Sequence, residues 1–219
     1  MANHEPRHVG TSCFGRPEAF VEVRLVDDEG RDVEEGVPGE LLVRSSGPDP
    51  RRYFFSGYLK DEDATREAWA DGWFHTGDLV RRDADGNFFF VDRKKNVIRR
   101  SGENISAVEV ESVLNQHPAV KTSAVAATPD AVRGDEVLAC IVLRETTDVA
   151  QREAVAASIV QHALAQLAYY KAPGYVAFVE ALPLTPSQKI QRGQLREMAQ
   201  SLPGQGHCID TRSMKKRQA

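Results

Sequence analysis

The sequence has few cysteines, no long apolar run and no excess of charge of one sign. Its three cysteines, Cys13, Cys140 and Cys208, are scattered along 219 residues. Their spacing indicates neither a disulfide framework nor a zinc site, as is typical of proteins from a reducing cytosol. The opening "MANHEPRHVG" lacks the apolar core of a signal peptide, and no apolar run approaches membrane-spanning length. We therefore expect a cytoplasmic protein without a membrane span.

The charge balance argues against a nucleic-acid-binding domain. The chain carries 28 lysines and arginines against 32 aspartates and glutamates, a net charge of −4. The basic run from Arg93 to Arg100 is therefore a local feature on an acidic background. A nucleic-acid binder that uses this run is the weakest alternative, and it would bind DNA with a steep salt dependence.

Hydrophobic periodicity divides the chain into a β-rich segment, a compact α+β domain and a tail. Up to about residue 92, short alternating runs are separated by turn signals, and "DLVRRDADGNFFFVDR" predicts a hairpin around Gly86. Residues 93–202 predict three strands and flanking helices, so the fold class is α+β. Residues 203–219 combine turn formers with mixed charge, and we expect a disordered tail.

The predicted helices have recognisable starts. Ser106 is the expected N-cap of the first helix of the α+β domain, with Glu109 at the capping-box position and Ile105 and Val110 placed for a hydrophobic staple. Asp148 is the expected N-cap of the next helix. Cys140 lies inside the apolar run "VLACIVL", where it is most simply a buried small hydrophobe.

Three short stretches could carry chemistry, and each also has a plain structural interpretation. "GWFHTGDLV" is either a turn or a place where Asp78 accepts hydrogen bonds from two vicinal hydroxyls. "DRKKNVIRRSGENIS" is either a solvated basic loop or a phosphate-handling segment, with Arg93 anchored by the preceding strand. "LPLTPSQKIQRGQL" holds Lys189, which is either an ordinary surface lysine or a catalytic one. His75 has no nucleophile partner, and "GQGHC" is too short for a phosphate loop or a metal site.

In this order the three stretches resemble the C-terminal part of the adenylate-forming acyl-CoA synthetases. "GWFHTGD" is similar to the Thr-Gly-Asp motif of that family, "VDRKKNVIRRSGENISAVEVE" to its hinge motif and "LTPSQKIQR" to its catalytic-lysine motif. The pattern is closest to crotonobetaine/carnitine-CoA ligases and medium-chain acyl-CoA ligases. The resemblance implies that residues 1–92 form the distorted barrel-like β subdomain of the large AMP-binding domain, and residues 93–202 the mobile C-terminal domain.

The resemblance also implies roles for individual residues. Asp78 and Arg93 would hold the ribose hydroxyls of ATP, and Lys95 would be the hinge about which the small domain rotates. Lys189 would touch the substrate carboxylate and the α-phosphate. The residues near the thiol of CoA would be Arg99, Ser101, Gly102 and Glu103.

One position departs from the family pattern. The family usually has glycine before the catalytic lysine, and this chain has Gln188. Since glycine tolerates φ values that glutamine resists, the departure bears on the loop conformation and leaves the lysine in place.

Two family motifs do not occur in this sequence: the Ser/Thr/Gly-rich phosphate loop and the Tyr-Gly-x-Thr-Glu segment that binds adenine and Mg²⁺. The expectation is therefore the last part of a ligase that joins a carboxylic acid to CoA with ATP, with Mg²⁺ bound mainly by the missing region. We expect that this polypeptide cannot adenylate an acid alone. The alternative is a non-catalytic module that binds CoA or another polypeptide.

Overall fold

The computed structural model describes residue 8 and residues 11–216, and the chain forms two compact units. The first unit ends at Lys95 and the second begins at Asn96. The predicted boundary after residue 92 lies a few residues before this division. Within the described residues, no helix is both long enough and apolar enough to cross a membrane.

The first unit is built on an antiparallel six-stranded sheet with the order β1-β6-β5-β3-β2, to which β4 is added beside β5. Its elements are β1 (Cys13–Gly15), β2 (Val21–Val26), β3 (Gly39–Ser45), α1 (Glu62–Ala68), β4 (Trp69–Ala70), β5 (Trp73–Arg82) and β6 (Phe88–Arg93). The predicted hairpin is confirmed as β5 and β6, with Gly86 at φ +80° in the turn. In the described part of the chain β1 and β2 are the ends of an open sheet. The expected distorted barrel-like subdomain is therefore corrected to a sheet that does not close into a barrel.

The second unit contains another six-stranded sheet, with the order β12-β11-β10-β7-β8 and with β9 beside β10. Its elements are β7 (Ile98–Arg100), β8 (Glu103–Ile105), α2 (Ala107–Leu114), β9 (Val120–Asp130), β10 (Gly134–Leu143), α3 (Val149–Gln166), β11 (Tyr175–Phe178), α4 (Arg192–Ser201) and β12 (Ile209–Asp210). The α+β class is confirmed, but the central sheet is larger than the three strands expected. The strands that the sequence did not reveal, β7, β8 and β12, are too short to show a period.

The sheet of the second unit is covered on both faces. Val137, Ala139 and Ile141 of β10 belong to one core cluster, which also contains the buried residues of α2 and α3. The alternate residues Leu138 and Cys140 belong to a second cluster, with residues of α4. Successive side chains of a strand point to opposite faces, so burial on both faces explains the continuous apolar run "VLACIVL". Burial raises the pKa of the Cys140 thiol to about 12, as expected of an inert core cysteine.

The start of α2 follows the prediction in part. The Ser106 side chain accepts a hydrogen bond from the Glu109 backbone at 3.2 Å, and the staple residues Ile105 and Val110 are both fully buried. The Glu109 carboxylate also accepts from Lys171 Nζ at 2.7 and 2.8 Å. At α3, Asp148 is the N-cap residue but its side chain makes no capping hydrogen bond.

The expectation of a disordered tail is wrong for residues 203–216. β12 pairs antiparallel with β11, and a 3₁₀ turn follows at Arg212–Met214. Thr211 is 3% exposed, and the Lys215 side chain is 1% exposed. Composition could not reveal this order, because it depends on polar partners that lie far away in the sequence. Residues 217–219 lie outside the described part of the chain.

Candidate functional site

Asp78 and Arg93 face each other across two strands of the first unit. They are register partners on β5 and β6, and Arg93 Nε lies 3.0 Å from Asp78 Oδ1. The Thr76 hydroxyl supports the irregular backbone before Asp78, where Gly77 of β5 has φ +68°. It donates to the Leu41 carbonyl at 2.7 Å and accepts from the Asp78 backbone N–H at 3.1 Å. The hairpin therefore brings together two residues that the sequence separates.

Asp78 and Arg93 do not fully satisfy each other's capacity for hydrogen bonding. Burial raises the pKa of Asp78 above its ordinary value, and the positive charge of Arg93 opposes that rise. Asp78 Oδ1 is buried without an aligned hydrogen bond, although the Arg93 guanidinium is in ion-pair range. The Arg93 side chain is half exposed, and its Nη1 donates to the Thr76 carbonyl at 2.8 Å. A partly exposed carboxylate beside an accessible guanidinium is suited to a ligand that offers hydroxyl donors.

A second polar cluster, around Glu40, holds the residue that follows Arg93. Lys94 Nζ lies 2.7 Å from the Glu40 carboxylate and 3.4 Å from that of Asp28. His75 Nδ1 lies 3.4 Å from the other Glu40 oxygen. Burial alone would lower the pKa of Lys94, but the hydrogen bond and charge of Glu40, with the charge of Asp28, raise it overall. Sequence reasoning missed Glu40, which it had placed in an ordinary strand.

Lys95 is the last residue of the first unit. It lies in a short 3₁₀ turn, Lys94–Asn96, that directly follows β6. The Glu40 cluster therefore anchors the chain one residue before the division between the units. The hinge role of Lys95 stays a prediction.

The expected CoA-contacting residues lie together on the hairpin formed by β7 and β8. Ser101 and Gly102 are its two turn residues, with φ of +52° and +85°. Two consecutive left-handed residues are the geometry of a type I′ turn, which favours glycine and asparagine over serine. The Ser101 N–H donates to the Arg133 carbonyl at 2.9 Å. Arg99 and Glu103, on the flanking strands, are exposed.

A buried charge cluster lies next to this turn. Arg100 is the β7 residue that precedes Ser101, and its Nε donates to Glu136 Oε2 at 2.8 Å. The other Glu136 oxygen accepts from Lys215 Nζ. All three side chains are at most 4% exposed. The sequence offered no signal for this cluster, because its members lie on β7, on β10 and in the segment taken for a tail.

Lys189 lies at the end of a tight loop in the second unit, and its side chain is exposed. Gln188 N–H donates to the Thr185 carbonyl at 2.9 Å, and Thr185 N–H donates to the Lys189 carbonyl at 2.7 Å. Gln188 has φ +62°. This is a three-residue hairpin loop with one left-handed residue, which is the position that glycine prefers. The glutamine therefore adopts the backbone conformation that the family's glycine would take.

Arg192, at the start of α4, anchors the segment that follows this loop. Its two terminal nitrogens contact the two Glu111 oxygens at 2.6 and 2.7 Å, and Nη1 also donates to the Val125 carbonyl. Glu111 Oε1 in turn accepts from the Val125 N–H at 2.7 Å. A bidentate arginine–carboxylate contact fixes orientation as well as distance, so α4 is tied to α2 and β9. Sequence reasoning missed both residues of this pair.

The predicted site residues thus form three groups. Asp78 and Arg93 meet on the first unit, and Arg99, Ser101, Gly102 and Glu103 share one hairpin of the second. Lys189 occupies a separate loop of the second unit.

The family model for the AMP-binding enzyme C-terminal domain matches residues 109–189. The human mitochondrial acyl-coenzyme A synthetase ACSM5 is 39% identical over 195 residues, which cover 89% of this chain and 34% of that protein. The crotonobetaine/carnitine–CoA ligase of Proteus mirabilis is 35% identical over 184 residues, covering 84% and 34%. The chain therefore spans about a third of the length of these relatives.

Solved structures agree with this likeness. The Bacillus subtilis o-succinylbenzoate CoA synthetase MenE, in complex with the acyl-adenylate intermediate OSB-AMP, superposes with a TM-score of 0.70 at 31% identity and covers 84% of this chain and 35% of its own. The anthranilate CoA ligase AuaEII, in complex with anthranoyl-AMP, superposes with a TM-score of 0.71 at 34% identity, covering 89% and 35%.

Proposed function

We propose, from the membership of this chain in the adenylate-forming acyl-CoA synthetase superfamily, that it supplies the C-terminal part of an AMP-forming acid–thiol ligase. Such an enzyme converts a carboxylic acid, ATP and CoA into acyl-CoA, AMP and diphosphate through an acyl-adenylate. The observation that carries this proposal is the Asp78–Arg93 pair, with its buried carboxylate oxygen that lacks an aligned hydrogen bond. ATP and CoA are the expected substrates beside the acid.

In this proposal Asp78 and Arg93 hold the ribose of the nucleotide. A ribose offers two vicinal O–H donors, and an ionised carboxylate is an acceptor with two oxygens. The Asp78 side chain is 27% exposed, so its carboxylate is able to accept from these donors. The charge of Arg93 opposes the rise in the pKa of Asp78 and so favours the ionised carboxylate, and its guanidinium leaves exposed N–H groups for the nucleotide.

Lys189 is assigned to the adenylation step. The attack of a carboxylate on the α-phosphate brings two anions together, and a positioned cation stabilises the charge that develops there. The short loop Thr185–Lys189 holds the lysine backbone through two hydrogen bonds to Thr185, of 2.7 and 3.1 Å. Its exposed ammonium is able to reach a ligand. Among the described residues, no group of His, Cys, Asp and Glu side chains could hold a metal ion, so no step is assigned to Mg²⁺.

The Ser101–Gly102 turn is assigned to the thioester-forming step, with Arg99 and Glu103 beside it. Once the acyl-adenylate exists, a thiol must approach the carbonyl, and the lysine is no longer needed. A rotation about Lys95 would exchange the two surfaces. The main-chain N–H groups of a left-handed turn, one of them on a residue without Cβ, can approach a phosphate or carbonyl closely.

The chain alone is not expected to adenylate an acid. It spans about a third of its relatives, and the phosphate-loop motif does not occur in its sequence. Without the other phosphate and acyl contacts, the advantage of holding both reactants in one geometry is lost. ATP–pyrophosphate exchange on the purified chain tests this point, and robust exchange with any fatty acid would overturn it.

The nucleotide assignment is tested by binding of AMP to the purified chain, followed by NMR. We expect weak binding that is lost in Asp78→Asn and in Arg93→Gln and is retained in Asp85→Asn, a matched control at an exposed position of the same hairpin. AMP that lacks both ribose hydroxyls should bind the natural chain no better than AMP binds Asp78→Asn. Equal AMP binding by the natural chain and Asp78→Asn would overturn the assignment.

A non-catalytic module that binds a polypeptide is the second candidate. The first unit exposes large apolar side chains, among them Leu59 at 90%, Tyr53 at 70% and Tyr58 at 53%. Such a surface is typical of one that is covered in an assembly. Sedimentation of the natural chain and of Leu59→Ser over a range of concentrations tests this candidate. Self-association that Leu59→Ser abolishes would support it, and a monomeric chain without nucleotide binding would count against both candidates.

A further inference from the structure

We propose that residues 209–216, here called the C-terminal strap, position the Ser101–Gly102 turn through two separate chains of contacts, with Lys215 and Arg212 as positioning residues. The consequence for CoA rests on the function proposed above. No sequence motif pointed to this segment, and the function proposed above does not use it.

The strap is attached to the sheet at its first residues. Ile209 pairs with Val176, and Asp210 with Tyr175, in the register of β12 on β11. Thr211, which is 3% exposed, donates its backbone N–H to the Gly174 carbonyl at 2.9 Å. Its hydroxyl donates to the Pro173 carbonyl, also at 2.9 Å. These bonds fix the start of the strap, so the residues after it leave from a defined place.

The first chain of contacts runs from Lys215 to Arg100. Lys215 Nζ contacts Glu136 Oε1, and Arg100 Nε contacts Glu136 Oε2 at 2.8 Å. The Glu136 side chain is fully buried. A Cβ added at Gly174 would come within 2.5 Å of Glu136 Cδ, so the carboxylate is packed directly against the backbone of that glycine. Arg100 is followed directly by Ser101, and the cluster thereby holds the residue before the turn.

The second chain of contacts runs from Arg212 to Ser101. Arg212 Nη1 contacts Asp130 Oδ2 at 3.1 Å. The other oxygen of Asp130 accepts from the Val132 and Arg133 N–H groups, both at 3.0 Å. The Arg133 carbonyl accepts from the Ser101 N–H at 2.9 Å. The strap therefore reaches residue 100 through one carboxylate and residue 101 through another.

The turn depends on such support. Ser101 adopts a left-handed backbone that non-glycine residues disfavour. Without Lys215, Glu136 Oε1 would lose its cationic partner, and Arg100 would be the remaining cation in contact with this buried carboxylate. Loss of the strap contacts is therefore expected to release the turn while the covered core of the second unit remains folded.

The protonation of Lys215 gives the same contact a dependence on pH. Burial lowers the pKa of Lys215 to about 8, the hydrogen bond and charge of Glu136 oppose this, and the charges of Arg100 and Arg133 lower it further. Above that pH Lys215 loses its charge, and Arg100 is the remaining cation in contact with Glu136. Turn mobility should therefore increase as the pH rises through about 8.

The test measures amide hydrogen exchange at Ser101 in the full chain, with binding of CoA and of AMP measured beside it. Lys215→Met keeps the apolar stem and removes the charge, and Lys216→Met is the matched control at an exposed position. We expect Lys215→Met to speed exchange at Ser101 roughly tenfold and to weaken CoA binding, with AMP binding and protection in α3 unchanged. Lys216→Met should change none of these.

Arg212→Gln tests the second chain of contacts and serves if Lys215→Met fails to fold. It should speed Ser101 exchange in the same direction. The natural chain supplies a third readout, which is the pH dependence of amide exchange at Ser101. After correction for the intrinsic pH dependence, this exchange should increase above pH about 8. Unchanged Ser101 exchange in the folded variants would overturn the proposal. A natural chain that binds no CoA, but whose Ser101 exchange responds as expected, would instead overturn the CoA assignment and leave the positioning role.

Discussion

The two units differ in how completely they bury their side chains. In the second unit Ile98, Ile141 and Ile159 are fully buried, and both faces of the sheet are covered. In the first unit the core cluster is small, and Leu41 and Val43 remain 7% and 8% exposed. A unit with a complete core is able to stabilise itself, whereas one with a sparse core depends more on what covers it. The second unit is therefore expected to be the more stable of the two.

Their ion pairs differ in the same way. Arg100, Glu136 and Lys215 of the second unit are withdrawn from water. In the first unit Arg31 and Asp27 pair at the surface, and Arg93 beside Asp78 is half exposed. Buried charges are costly to leave unpaired, while exposed pairs contribute little to stability. The buried cluster is thus structural, and the exposed pair is free to serve a ligand.

The largest effect should come from Glu136→Gln. It leaves two buried cations without their carboxylate, a change that costs roughly 3–5 kcal/mol in comparable buried pairs. The chain has two tryptophans, Trp69 and Trp73, both in the first unit. The urea unfolding transition measured by far-ultraviolet circular dichroism should therefore move to lower urea concentration. The transition measured by tryptophan fluorescence should stay in place.

The matched control for that experiment is Asp27→Asn. It breaks an exposed pair of the first unit and should leave the free energy of unfolding nearly unchanged. A Glu136→Gln variant as stable as Asp27→Asn would show that the buried cluster adds nothing, and the contrast between the units would fail.

A smaller effect is expected at the helix starts of the second unit. Ser106→Ala removes a capping bond to the Glu109 N–H and should lower the free energy of unfolding by about 1 kcal/mol. Asp148→Ala is the control, because the Asp148 side chain makes no capping hydrogen bond. The measurement is urea unfolding by circular dichroism, and equal losses in both variants would contradict the capping assignment.

There is a physical reason why some elements of the fold could be predicted from the sequence and others could not. The start of α2 was predictable because Ser106, Ile105 and Val110 are local signals within one turn of helix. The two-residue strand β12 has no period to detect, and its order depends on pairing with Tyr175 and Val176, far away in the sequence. Local chemistry is visible in a sequence, whereas long-range partners are not.

The same distinction holds for the candidate site. The hairpin turn at Gly86 makes the pairing of β5 and β6 predictable. The register shift between Leu79 and Val80, which makes Asp78 the partner of Arg93, is visible only in the folded chain. The carboxylates Glu40 and Glu111 could not be found, because each acts through a cation distant in sequence. Only the folded chain brings those charges together.

The loop before Lys189 should respond to Gln188→Gly with a gain in stability. Gln188 has a left-handed backbone, which costs a non-glycine residue roughly 1–2 kcal/mol. Glycine removes this strain, but part of the gain is lost because glycine has more conformational freedom in the unfolded state. The net gain should be about 0.5–1 kcal/mol in urea unfolding. Ser187→Gly, at a neighbouring position without positive φ, should instead destabilise by a similar amount.

The smallest effect on stability is expected from Arg93→Gln, and its readout is the pKa of Asp78. Burial already raises that pKa, and Arg93 holds it down, so removing the guanidinium should raise it further. A carboxyl whose folded pKa lies above its unfolded value binds more protons when folded between the two values. Stability therefore falls as the pH rises from the unfolded pKa to the folded pKa. Arg93→Gln should widen this pH interval, because it raises the folded pKa. Carbon-13 NMR titration of the Asp78 carboxyl measures the shift. An unchanged pKa would mean that the two side chains do not interact in solution. The comparison of the buried structural cluster with an exposed ligand-binding pair would then not hold.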